Sequence, residues 1–276
     1  MKIDAHQHFW DLHRGDYGWL TPDLEPLYKN FAPADLEPLL KSTGVDGTVL
    51  VQAAPTLAET RYMLSLADQH DFIKGVVGWV DFEADDALDT ITELATLPKL
   101  VGIRPMIHDI EDSDWMLKAQ FTPVLKQLEE HNLVFDALTR PLHLPNLKQL
   151  IDRHPNLNVV IDHGSKPEIE NGLIEPWATQ MAEIAAASKA SVKLSGLVTE
   201  AGSDWTVEAL KPYVDHLLEH FGTERMIWGS DWPVCTLASS YKKWHDSTTE
   251  LLNGFSETEI SNVLGHNAIR IYGLKQ

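Results

Sequence analysis

The sequence predicts an α/β chain folded as a (β/α)8 TIM barrel with closing helices at its C-terminal end. Three observations carry that reading. Eight short apolar, β-branched runs each end in polar residues, and amphipathic stretches of helical period separate them. Successive runs start 25 to 45 residues apart, which suits the strand, helix and two loops of one barrel unit.

The runs, in order, are Lys2–His6, Gly47–Gln52, Lys74–Val80, Leu100–Met106, Leu133–Leu138, Asn158–His163, Ser191–Ser195 and Arg225–Ser230. Near-continuous apolarity in Gly47–Val51 and Val159–Ile161 fits parallel strands covered on both faces. Between the runs, helices are expected over Thr60–Gln69, Ala87–Thr96, Phe121–His131, Asn146–Arg153, Glu175–Ala187 and Val207–Phe221. Two closing helices follow, Ser239–Leu252 and Ser256–Leu264, the second opened by the capping-box pattern Ser256–Glu259. An open doubly wound sheet is the competing architecture, and the first strand lacks the glycine-rich turn that would favour it.

At 276 residues, 43% hydrophobic, the chain is long enough for one sizeable core, so a single domain spanning 1–276 is expected. A formal charge of −19, from 41 acidic against 22 basic residues, opposes a nucleic-acid or anionic-membrane partner, because phosphates need concentrated Lys and Arg. A small-molecule partner fits better. With no long apolar stretch or signal-like start, the expected location is cytoplasmic; the lone Cys235 agrees and reads as structural. Composition leaves the oligomeric state open.

Barrel enzymes place their chemistry at the C-terminal ends of the strands. The first strand ends Asp4-Ala-His6-Gln-His8, where two-residue spacing sends both imidazoles, with Asp4 deeper on the same side, toward the mouth. Asp231 ends the last strand and is a candidate base, with a turn aspartate as the bland alternative; Gly229 before it allows a close backbone approach. His163 ends the sixth strand. Arg104 and Lys193 interrupt apolar strands and are either substrate ligands or buried partners of acids such as Asp136 and Asp162. Gln52 could bind a hydroxyl or satisfy a loop amide. Of Trp10, Trp79, Trp115, Trp228 and Trp232, the last is the best candidate for contacting substrate, being next to Asp231, while His108 and His143 read as surface or capping residues.

Five segments, Ile-Asp-Ala-His6-Gln-His8, Gly-Ile-Arg104-Pro, Ile-Asp-His163-Gly-Ser-Lys166, Val-Lys193-Leu-Ser-Gly and Trp-Gly-Ser-Asp231-Trp-Pro, together resemble the amidohydrolase 2 group. Within it the chain is similar to the sugar-acid lactonase branch, including L-fuconolactonase-like and L-rhamnonolactonase-like enzymes. The resemblance implies a hydrolase acting on a sugar lactone, with His6, His8 and His163 around the reaction centre and Asp231 handling the proton of the attacking water. Arg104, Lys193, Gln52 and Trp232 are the expected substrate-binding residues.

Two-metal relatives carry a fourth-strand lysine and a fifth-strand histidine, and this sequence has neither, which argues against a binuclear site. His6, His8 and Asp231 remain as three ligands for one open divalent site, zinc foremost. A metal-free mechanism, with the histidines contacting the carbonyl, is the alternative. A decarboxylase, a lactone isomerase and a catalytically silent sugar-acid binder are the competing functions.

Overall fold

The computed structural model describes residues 1–275. Among these, eight strands form one sheet in chain order: β1 (Ile3–Gln7), β2 (Gly47–Val51), β3 (Ile73–Gly78), β4 (Leu100–Ile103), β5 (Val134–Ala137), β6 (Val159–Ile161), β7 (Ser191–Leu194) and β8 (Met226–Trp228). Each adjacent pair is parallel. Closure comes just beyond the strands, where Gln7 bridges Trp232, His8 N donates to Trp232 O at 2.7 Å and Asp231 N donates to His6 O at 2.7 Å. The expected (β/α)8 barrel is therefore present, and its last seam is drawn by residues of the mouth.

Helices α1 (Pro33–Thr43), α2 (Leu57–Gln69), α3 (Ala87–Ala95), α4 (Thr122–Glu130), α5 (Leu144–Arg153), α6 (Trp177–Ala187), α7 (Leu197–Glu200) and α8 (Val207–Phe221) occupy the crossovers. The longest matches its predicted span to the residue. α2 starts three residues before its predicted start because Thr56 accepts from Glu59 N at 3.1 Å and caps it there. α1 was not foreseen. Its prolines, Pro33 in the first turn and Pro38 inside, obscure the periodicity, although the first is where a helix tolerates proline.

The C-terminal segment closes the other end of the barrel. After α9 (Tyr241–Leu251), Ser256 and Glu259 form the expected capping box on α10 (Glu257–Ser261). The predicted single helix then breaks into a π turn at Asn262–His266 and α11 (Asn267–Ile271). Ala268, Tyr272 and Leu274 pack with Ile3, Val49, Val77, Val134 and Val160 as an apolar plug inside the sheet. Burying each valine there stabilises the fold by about 1.5 to 3 kcal/mol. A larger apolar layer lies between strands and helices. Among the described residues, no helix is long and apolar enough to cross a membrane.

Candidate active site

The site begins with a break in β1. Ile3 and Ala5 belong to the interior cluster, and pairing with β2 then shifts register between Asp4 and Gln7. Such a shift redirects side chains, so His6 and His8 reach the mouth while Asp4 does not share their side as the two-residue spacing predicted. Asp4 instead ties β1 to β8: its Oδ1 accepts from His6 N at 3.2 Å and Ser230 N at 2.8 Å. Gly229 makes that seam possible, since a Cβ there would lie 2.6 Å from His6 Cβ.

Three imidazoles converge with Asp231. His6 and His163 have ring centroids 4.4 Å apart, and His6 and His8 4.9 Å. In each ring Nδ1 is engaged by the barrel wall: His8 by the Val51 carbonyl at 2.8 Å, His163 by Ser195 Oγ at 2.9 Å, and His6 by Lys193 Nζ at 3.2 Å with Asp162 Oδ1 at 3.6 Å. Asp231 Oδ1 lies 3.2 Å from His8 Nε2 and 3.7 Å from His6 Nε2. Burial, then Lys193, holds His6 well below the usual histidine range, and burial does the same to His163. Burial would raise Asp231, but His163 and His8 outweigh it and leave the carboxyl below its ordinary value. The neutral His6 and His163 rings thus face an ionised carboxylate at neutral pH.

Backbone strain accompanies this convergence. His163, Ser165 and Lys166 have φ of 54°, 61° and 52°, and Asp231 has 56°, all in the left-handed region that side chains disfavour. Each such residue costs about 1 to 3 kcal/mol and persists only where its surroundings impose it. Gly196 makes room for one of them, since a Cβ there would meet His163 Nδ1 at 2.4 Å.

Beneath the rings lies a sealed ionic floor. Lys193 Nζ is 2.5 Å from Asp136 Oδ2 and 2.9 Å from Asp162 Oδ1, and Arg104 Nη1 is 3.1 Å from Asp162 Oδ2. Tyr272, from the C-terminal plug, donates to Asp136 Oδ2 at 2.9 Å. Burial alone would raise Asp162, yet Lys193, His6 and Arg104 hold it well below the usual carboxylate range.

Over this floor is a cavity of about 210 Å³, walled by His8, Trp19, Arg104, His108, His163, Lys166 and Asp231 among others. The expected substrate ligands divide here. Arg104 lines the cavity, whereas three others require correction. Lys193 is fully buried, hydrogen-bonded to Asp136 and His6 and ion-paired with Asp162. Gln52 is fully buried and donates to the Arg104 carbonyl at 2.8 Å, while its own carbonyl accepts from Arg104 Nη2. Trp232 packs edge-on against Phe31 and Phe9, away from the cavity wall. These residues position others.

Sequence reasoning also missed His108, Lys166 and Trp19. Burial, then Lys166 and Arg104, lowers His108 to about 3, so its ring is neutral, and its buried Nδ1 has no hydrogen-bond partner among the described residues. The signal was available in part, because His108 follows the predicted fourth strand by two residues. His143 behaves as expected of a cap, its Nδ1 accepting from Arg140 N at 3.1 Å. Cys235 is buried and its thiol is pushed well up by that burial, as a structural cysteine requires.

A parallel barrel with buried imidazoles and a carboxylate at the C-terminal ends of its strands defines a hydrolase-type mouth. The chain belongs to the amidohydrolase family, whose pattern matches residues 3–274. It is 43% identical, over 99% of its length and 95% of the relative's, to an L-fucono-1,5-lactonase of Burkholderia ambifaria. A second L-fucono-1,5-lactonase, from Burkholderia multivorans, is 31% identical over 100% of this chain and 97% of its own. An amidohydrolase from Burkholderia multivorans, solved with bound zinc, superposes with a TM-score of 0.94 at 31% identity over the whole of both chains.

Proposed function

We propose that this chain is a sugar-acid lactonase that opens an aldonolactone of the L-fucono or L-rhamnono type by adding water. The observation that carries the reading is Asp231, ionised at the wall of a small cavity beside the neutral His163, in a chain so similar to L-fucono-1,5-lactonases. At about 210 Å³ the cavity is below the range of about 300 to 1,000 Å³ typical of drug-sized ligands, and suits a single sugar ring.

The residues meet the needs of the reaction. Asp231 takes a proton from water as the water oxygen attacks the ring carbonyl. Arg104 and Lys166, in the cavity wall, stabilise the developing oxyanion and then the carboxylate product. Cleavage of the carbonyl carbon to ring oxygen bond releases an alkoxide, which recovers the proton held by Asp231. His108 offers its unpartnered Nδ1 to a substrate hydroxyl.

The donor set also fits one divalent cation. Atoms of His6, His163 and Asp231 all lie within 4.8 Å of one another, somewhat wider than the roughly 3.5 Å ligand separation of tetrahedral zinc. His163 thus joins the triad, where the sequence pointed to His8 with His6 and Asp231. His8 stays behind Asp231 Oδ1. His8 Nδ1 lies 2.8 Å from the Val51 carbonyl and its Nε2 3.2 Å from the carboxylate, so the ring holds Asp231 against the barrel wall. When bound, such an ion polarises the lactone carbonyl and lowers the pKa of water.

The test is acid release from a panel of aldonolactones, including L-fucono-1,5-lactone and L-rhamnono-1,5-lactone, followed with a pH indicator. Hydrolysis of at least one well above its spontaneous rate is expected. Spontaneous rates throughout, with carbon dioxide release from 2,6-dihydroxybenzoate, would sink the proposal in favour of a decarboxylase.

A further inference from the structure

Beside the catalytic cavity, above β1 to β4, lies a second one of about 530 Å³ that shares Trp19, Met106 and Asp109 with it. Its volume falls inside the range of ligand sites, and the adjoining mouth space therefore exceeds what one small lactone fills. Trp79 and Trp115 stand in its wall with Asp16 and Asp81.

These aromatics are held in place. The Trp79 backbone is clamped by Thr60 Oγ1, which accepts from its N–H at 2.8 Å and donates to its carbonyl at 2.9 Å. Trp115 packs against Phe121 and Phe82 at centroid separations of 4.6 and 5.8 Å. A ring held by its neighbours, as Trp115 is, costs little entropy when a ligand settles on it.

The carboxylates of the wall decide what kind of ligand fits. Asp16 is paired with Arg14 at 2.7 Å and Glu83 with Lys118 at 2.9 Å, whereas Asp109 has only the neutral His108 ring beside it, at 3.2 Å, and Asp81 has no cation partner among the described residues. With cations of their own, Asp16 and Glu83 have less to gain from a cationic ligand, and all four acids keep acceptor lone pairs for hydroxyl donors. Asp16 Oδ1 is buried with no hydrogen-bond partner among the described residues. Flat apolar faces beside acceptor carboxylates match a sugar ring, with its C–H face and its hydroxyls.

We propose that this cavity is a glycosyl subsite, so that the enzyme takes aldonolactones bearing a second, neutral sugar on a ring hydroxyl. The inference rests on the lactonase reading and extends its substrate class. The two cavities meet at Trp19 and Met106, so the glycosidic bond crosses there while the lactone lies beside Asp231.

The experiment compares L-fucono-1,5-lactone with its three regioisomers glycosylated at O2, O3 or O4, by kcat/KM for acid release. At least one regioisomer is expected to match or exceed the unsubstituted lactone to within a factor of three. Trp79→Ala is expected to lower the ratio of glycosylated to unsubstituted kcat/KM about tenfold, the effect of losing about 1.4 kcal/mol of contact. Asp81→Asn, an exposed and milder change, is expected to lower the same ratio about threefold.

Turnover of the unsubstituted lactone with all three regioisomers slower by more than that factor overturns the subsite alone. A ratio that neither variant moves also overturns it. Inertness of all four lactones overturns the subsite, and spontaneous rates across the whole aldonolactone panel as well overturn the lactonase reading with it.

Discussion

His8 Nε2 faces Asp231 Oδ1 at 3.2 Å, although the two residues stand 223 positions apart in the chain. The contact joins the first strand end to the last, and it orients one carboxylate oxygen while the rest of the group remains in the cavity wall. Replacing that carboxylate by an amide keeps the shape and removes the base. Asp231→Asn is expected to lower kcat by about 10² to 10⁴-fold, with circular dichroism and melting temperature close to wild type. Wild-type turnover from the folded variant rejects Asp231 as the base.

Metal dependence follows from the three donors of His6, His163 and Asp231. Protein stripped with a chelator is expected to lose activity and recover it with about one equivalent of zinc per chain. Zinc is also expected to raise the melting temperature, since a ligand at 100 times its Kd adds about 2.7 kcal/mol of stability. His163→Asn is expected to weaken both effects. Full activity of stripped protein, with no shift in melting on adding zinc, removes the cation from the mechanism.

The positions of the chemistry were legible because barrel geometry sends strand-end residues to one face. His6, His8, His163, Arg104 and Asp231 all stand there. Side-chain direction was less legible. The register shift in β1 sends Asp4 to the seam, and period-two alternation cannot foresee it. Depth was also hidden, since a lysine in an apolar strand reads equally as ligand or as buried ion-pair partner. Only the positions of Asp136 and Asp162 on neighbouring strands assign Lys193 to the floor. Loop residues such as His108 and Trp19 carry no periodic signal, and the connection in which α1 lies is punctuated by proline.

Lys193 balances two buried carboxylates, and its loss leaves Asp136 and Asp162 without their shared cation. Removing one partner of a buried ionic cluster costs about 3 to 5 kcal/mol. Lys193→Met is expected to lower the melting temperature by about 10 °C, given about 2 to 4 °C per kcal/mol for a chain of this size. Adding Asp136→Asn in the same chain is expected to restore part of that loss, since it removes one stranded charge. If the double variant melts no higher than the single one, packing around the lysine stem, and not charge balance, holds the floor.

Glu59 provides a test of buried charge outside the site. Its carboxylate receives Ala53 N at 3.0 Å and Ala54 N at 2.8 Å, clamping the loop after β2. Burial outweighs those hydrogen bonds and pushes its pKa up to about 7, from an ordinary value of 4.5. A carboxyl whose folded pKa is raised holds its proton more tightly in the native state. The stability this proton provides is fully present below pH 4.5 and is lost as pH rises to about 7. Glu59→Gln removes the titration and keeps an acceptor for the loop. The stability of wild type relative to this variant is therefore expected to fall by about 2 to 3 kcal/mol between pH 5 and pH 8. Comparing the two proteins at each pH cancels the titration of the buried histidines, which are common to both. Denaturant unfolding at several pH values gives the difference directly. A difference that stays constant from pH 5 to 8 would mean that Glu59 is ionised throughout and that its backbone donors outweigh its burial.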